Sequence, residues 1–168
     1  HWVHPAPGDT IVGDKKAFLN PGMFTFLTLL FSSLWIIGVT WMRRQSLNDD
    51  IATNKVAYNQ KSKYVSAFYI VIFGVSSSIF SWVAIMSLDP HWYSTLFGWY
   101  NFASYGCAAF AFVILLLLFL KSKGYLAQVN ENHIHDVGKF LFGFSIFWTY
   151  LWFSQFMLQW YGNIPEDT

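Results

Sequence analysis

Four runs of this chain, Met23–Met42, Tyr64–Met86, Phe102–Leu120 and Phe140–Tyr161, contain no Asp, Glu, Lys, Arg or His. All ten basic residues, all nine acidic residues and all five histidines lie outside them. Each run is long enough to cross a bilayer, which takes about 20 apolar residues. The expected fold is therefore an all-α integral membrane helical bundle. It forms a single transmembrane domain over 1–168, with spans at about 23–42, 64–86, 102–120 and 140–161. Apart from effectively neutral tyrosines and Cys107, nothing ionisable enters the membrane. Groups that titrate, ligate or relay protons must sit at the helix ends.

Several chemistries are excluded at once. There is no HExxH motif, Walker loop, GxGxxG or nucleophile elbow, so hydrolysis and phosphoryl transfer are not expected. A net charge of +1 gives no footing for a nucleic-acid partner. The single cysteine rules out a disulfide framework and a Cys-based metal site. Cys107, beside Gly106, Ala108 and Ala109, reads as a small packing residue. His1 and His4 flank Trp2, but Pro5 and Pro7 follow at once and no Cys-x-x-Cys-His exists, so haem ligation there is not expected. The chain opens on His1 and closes on Glu166-Asp167-Thr168 after a turn-like Gly162-Asn163-Ile164-Pro165. It is expected to be an internal piece of a longer membrane protein.

The boundaries carry helix punctuation. Asn20-Pro21 supplies a cap and a first-turn proline for the first span. Arg43 and Arg44 are expected just after its last turn. Asp89-Pro90 is a second such pair, predicting a short interfacial helix over about 90–98. Lys121, Lys123 and Gly124 close the third span. Asp136 is expected to cap the fourth and Gly162 to end it.

Orientation follows from the basic residues in the loops. Arg43, Arg44, Lys55, Lys61, Lys63, Lys121, Lys123 and Lys139 lie on one side, against Lys15 and Lys16 on the other. The first and third loops are thus expected in the cytoplasm, and residues 1–18, 87–101 and 162–168 on the outward side, which is the periplasm if the membrane is the inner membrane of a Gram-negative bacterium.

Half of Phe140–Tyr161 is aromatic. Trp148, Tyr150 and Trp152 are deep, so their polar hydrogens need partners. Two readings stand: tight helix packing, or an aromatic wall beside a quinone ring or isoprenoid tail. Trp148, Tyr150, Ser154, Gln155 and Tyr161 are the quinone-binding candidates. The second span carries Ser66, Ser76, Ser77, Ser78 and Ser81, with Gly74. Small residues suit a helix–helix seam; a water-accessible polar track is the alternative.

Two polar clusters remain. Asp89, His91 and Tyr93 form the outward one, read either as a cap with hydrated interfacial residues or as a proton exit or docking surface. His133, His135, Asp136 and Lys139 form the inward one, read either as a cap with surface histidines or as a proton-uptake group. The His-x-His-Asp spacing hints at a metal, but no second ligand group accompanies it, so no metal site is expected.

The stretches SLDPHWYSTLFGWYNFA (87–103) and HIHDVGKFLFGFSIFWTYLWFSQFMLQWYGNIPEDT (133–168), with HWVHP at the start and a first span ending in Arg43-Arg44, resemble the F-type membrane subunit of bacterial alternative complex III. The resemblance covers nearly the whole chain. It implies a polysulfide-reductase-type subunit of about ten spans, of which this chain supplies the central four. It further implies a quinol:electron-acceptor oxidoreductase complex feeding cytochrome c or a terminal oxidase. The partners would be a multihaem cytochrome c, an iron–sulfur subunit and a paralogous membrane subunit. Quinone or menaquinone is the implied cofactor, with haem and iron–sulfur clusters in partner subunits only, and proton translocation is the implied role of this subunit. The chain departs from the family pattern at one point. An Asp-Trp pair is expected directly before Ile85, and Val83-Ala84 stands there. That departure favours a rival reading, a purely structural subunit of the same complex. A secondary transporter fragment is a weaker rival, because no broken helix or midplane charge is visible.

Overall fold

The computed structural model describes residues 10–16, 19–51 and 55–163. Helices account for nearly all of these, with no strand among the described residues. The order is α1 (Thr10–Lys15), α2 (Pro21–Ile51), α3 (Lys55–Phe80), a π-helical turn at Ser81–Ile85, a 3₁₀ turn at Met86–Leu88, α4 (Leu96–Ser122) and α5 (Glu131–Gly162). Four helical stretches, Pro21–Asp49, Gln60–Leu88, Leu96–Ser122 and Glu131–Gly162, are long and apolar enough to cross a membrane. The chain is an all-α, multi-pass membrane protein.

Each of the four long helices extends beyond its charge-free run at one end or both. α2 has 31 residues, about 46 Å at 1.5 Å per residue, against a hydrocarbon core of about 30 Å. Arg43 and Arg44 therefore lie inside α2 on exposed positions, not after its end. Charge marks where a helix leaves lipid, while hydrogen bonding carries it on into water. The start of α2 is as expected, because Asn20 Oδ1 accepts the Met23 N–H at 2.7 Å and Pro21 takes the first helical position.

The chain divides into two compact units, residues 1–94 and 95–168. In the first, α2 and α3 pack as an antiparallel pair. Trp35 Nε1 donates to Ser76 Oγ at 2.9 Å, and Tyr69 OH donates to the Trp35 carbonyl at 3.2 Å. The Trp35 ring meets Phe80 edge-on at 5.1 Å and Phe73 at 5.7 Å. Ser77 and Ser78 donate back to the Gly74 carbonyl and Ser81 to that of Ser77. These hydroxyls satisfy themselves on their own helix, so Ser76, Ser77, Ser78 and Ser81 are buried without orphaned polar atoms. The serine run is a helix–helix seam.

α3 ends irregularly. The Met86 N–H reaches the Ser81 carbonyl, an i→i+5 bond, and the Asp89 N–H reaches Met86 at 3.2 Å. The interfacial helix predicted over 90–98 does not form: residues 89–95 are bends and extended chain, and Leu96–Gly98 are the first turn of α4. The cause is local diversion of both ends of the first helical bond. The Pro90 carbonyl, which a helix would offer to the Ser94 N–H, accepts Lys15 Nζ at 2.6 Å. The Ser94 N–H turns to Met86 Sδ at 3.4 Å. Asp89 Oδ1 accepts from the His91 N–H two residues on, which makes a turn instead of a cap.

In the second unit, α4 and α5 form another antiparallel pair. Phe140, Phe144 and Trp148, four residues apart, face α4. Phe140 stacks on Phe110 at 5.6 Å, Phe144 meets Phe110 at 5.3 Å and Phe102 at 6.2 Å, and Trp148 meets Tyr100 at 5.6 Å. Cys107 Sγ lies 3.8 Å from Ser145 Oγ in the same seam, as a packing residue. α4 closes as expected. Gly124 (φ 81°) is left-handed, the Tyr125 N–H returns to Leu120 and the Gly124 N–H to Lys121, both at 3.1 Å. α5 ends at Gly162, but the left-handed residue is Asn163 (φ 47°). Its first cap is Asn130, not Asp136, which sits inside the helix.

A Cβ at Gly106 would run into the Phe144 ring, whereas one at Gly143 meets nothing within 4 Å. Gly143→Ala should be neutral or stabilise by up to about 1 kcal/mol through helix propensity. Gly106→Ala should instead destabilise by about 1–3 kcal/mol through overpacking. Thermal unfolding of both variants in one detergent checks the difference in sign.

Candidate functional site

The break after α3 builds the most structured polar site among the described residues. The chain from Trp82 to Tyr93 folds over a 170 Å³ cavity, closed from the other side by Lys15 and Leu19. Lys15 holds the loop twice, through its bond to the Pro90 carbonyl and by lying 5.5 Å over the Tyr93 ring. Pro90 and Ser87 are buried, while Asp89, His91 and Tyr93 reach solvent. Trp82 Nε1 is buried without a hydrogen-bond partner. The three outward candidates are thus on one loop, pinned by a lysine that sequence reasoning did not select. No local signal marks Lys15, because its partner lies 75 residues away.

The other cluster stands on the first turns of α5. His133 belongs to the cap: its N–H donates to Asn130 Oδ1 at 3.1 Å and its Nδ1 accepts the Asn130 N–H at 3.2 Å. Asp136 is paired with Lys139 at 3.0 Å, with both side chains mostly exposed. The Lys139 hydrogen bond and charge, helped by His135 and His133, hold the Asp136 carboxyl below its usual range. Asp136 therefore stays ionised further into acid than a free carboxylate, and the pair is lost only as pH falls through that lowered value. His135 is exposed.

The five residues proposed for a quinone are not gathered by α5. Trp148 is committed to Tyr100. Ser154 and Tyr161 line a shallow groove of 520 Å³ with Met157, Leu158 and Gly162. Tyr150 lines a separate one of 460 Å³. At 100° per residue, Tyr150, Ser154 and Tyr161 share one face, and Trp148 and Gln155 the opposite one. A single head group cannot touch both faces. His1, His4 and the tail from Ile164 onward lie outside the described residues.

No family model matches the sequence, and no curated protein matches it either.

Proposed function

We propose that this chain is a membrane subunit of a respiratory quinol-oxidising complex, with its own chemistry confined to the helix ends. The observation that carries this reading is the break after α3. The SLDPHWYS stretch, part of one of the two segments that carry the resemblance to the F-type subunit of alternative complex III, follows the π-helical turn at Ser81–Ile85 and loops over a cavity held by Lys15. π-helical turns inside apolar helices concentrate at functional sites. On this reading the complex lies in a bacterial inner membrane. The basic loops face the cytoplasm, and the Asp89–Tyr93 loop faces the periplasm, where protons from quinol oxidation are released. Haem, iron–sulfur clusters and the electron acceptor belong to partner subunits, and the α5 face of Tyr150, Ser154 and Tyr161 is the surface this chain offers to quinone.

The second reading is a structural subunit of the same complex. The split of the α5 candidates and the self-satisfied serine seam favour it, since neither offers a proton path through the membrane.

One experiment separates the two. In the whole purified complex, Asp89, His91, His135 and Asp136 are replaced singly by Asn or Gln, with Lys15→Gln alongside. On the proton-handling reading, Asp89→Asn lowers proton release coupled to quinol oxidation by ~100-fold or more, the low end of what a positioned acid–base group supplies, while subunit composition stays intact. Normal quinol oxidation and proton release in all variants leaves the structural reading.

A further inference from the structure

The cap of α5 is closed by an imidazole. In the usual reciprocal box, Glu or Gln three residues into the helix supplies the oxygen that accepts the cap residue's N–H. Here His133 Nδ1 supplies that acceptor for the Asn130 N–H at 3.2 Å, while Asn130 Oδ1 accepts the His133 N–H at 3.1 Å. An imidazole nitrogen accepts a hydrogen bond only while it carries no proton. Protonation at Nδ1 would set two N–H groups against each other. It would also add a cation to the helix end that already carries positive partial charge. Both effects act in one direction.

We propose that the start of α5 is a proton-operated latch: neutral His133 holds the α4–α5 turn onto the helix, and its protonation releases that turn. The turn is poised for this. Gly124 (φ 81°) and Leu126 (φ 59°) are both left-handed, and for leucine that conformation is strained. Between Gly124 and Asn130 one backbone bond, from the Val129 N–H to Leu126 at 2.9 Å, braces the turn itself. His133 is exposed to solvent. The charged groups around it are Glu131, His135, Asp136 and Lys139 on its own helix, and Lys121 and Lys123 at the adjoining end of α4. Asp136 is engaged by Lys139 but is also attracted by His133, so it favours the imidazolium, with Glu131 two residues away in sequence. The latch rests on the cap geometry and holds whichever reading of the complex is right.

The test is hydrogen exchange of the amides of residues 130–134 in the whole chain in lipid nanodiscs. Exchange is compared at about pH 8 and about pH 5, either side of ordinary histidine titration, with times scaled for intrinsic rate. Wild type should lose protection ~5-fold at the lower pH, the worth of a helix cap. His133→Gln keeps an acceptor at both values and should show no such loss, and His135→Gln should retain it. His133→Ala should be poorly protected at both. A flat wild-type profile, or a His133→Gln profile that falls in parallel with wild type, overturns the latch.

Discussion

Gly38→Val is expected to open the α2–α3 pair, with a loss of about 3 kcal/mol. Gly38 lies at the middle of α2, and any Cβ built there enters the Tyr69 ring. The ring cannot retreat freely. Its hydroxyl donates to the Trp35 carbonyl at 3.2 Å, and it stacks on Phe73 at 6.5 Å. Phe73 is itself against Trp35. Overpacking of this kind costs about 1–3 kcal/mol, and displacing Tyr69 forfeits a hydrogen bond worth about 1 kcal/mol. Removing glycine from a helix recovers less than about 1 kcal/mol. The balance is a large share of the 5–15 kcal/mol that a typical domain has. Reversible unfolding in detergent, run as a double-mutant cycle with Tyr69→Ala, measures it. In the Tyr69→Ala background the same substitution should be close to neutral, a coupling of about 3 kcal/mol. Equal loss in both backgrounds would mean that α3 approaches Gly38 through some other residue.

That close approach explains which features of the fold were legible in the sequence. Signals with their cause within a few residues read correctly. Asn20-Pro21 caps α2, Gly124 ends α4, and the serines of α3 fold back on their own carbonyls because the acceptor is three or four residues away. Signals that depend on a distant partner did not. Asp89-Pro90 has the composition of a helix start, but Lys15 takes the carbonyl that the first turn needs. Asp136 looked like a cap because the charge-free run starts soon after it. The helix instead begins at Asn130, since polar residues beyond the lipid still bond as helix. The aromatic content of α5 announced packing without saying which face. The stripe 140, 144, 148 meets α4, and Phe142, Tyr150, Trp152 and Phe153 stay exposed on that unit. The proton-handling candidates were visible as clusters, whereas Lys15 and the acceptor role of His133 needed coordinates.

The substitution that bears most on function is Val83→Asp. Val83 is 2% exposed and lies in the π-helical turn, two residues after Ser81, which is fully buried. On the proposed reading as a subunit of alternative complex III an acid would stand at this position, so the variant asks whether the turn can host one. The serine hydroxyls leading into the turn are satisfied on their own helix, so an inserted carboxyl loses water without a prepared partner among them. Such burial within an apolar helix costs about 3 kcal/mol, on top of the lost valine packing of about 1–2 kcal/mol. Val83→Asn has nearly the same size and no charge, and serves as the comparison. If Val83 is only a packing residue, both variants should destabilise the chain, Val83→Asp at least as much as Val83→Asn, and proton release by the assembled complex should not rise. A different pattern, with Val83→Asp tolerated at least about 2 kcal/mol better than Val83→Asn and proton release raised, would mean that the turn retains donors for a carboxylate. Trp82 Nε1 is a buried, unpartnered donor in the same turn. Paired stability and proton-release measurements on these two variants therefore decide between a conduit that has lost its relay residue and a helix turn whose role is to shape the loop over the cavity.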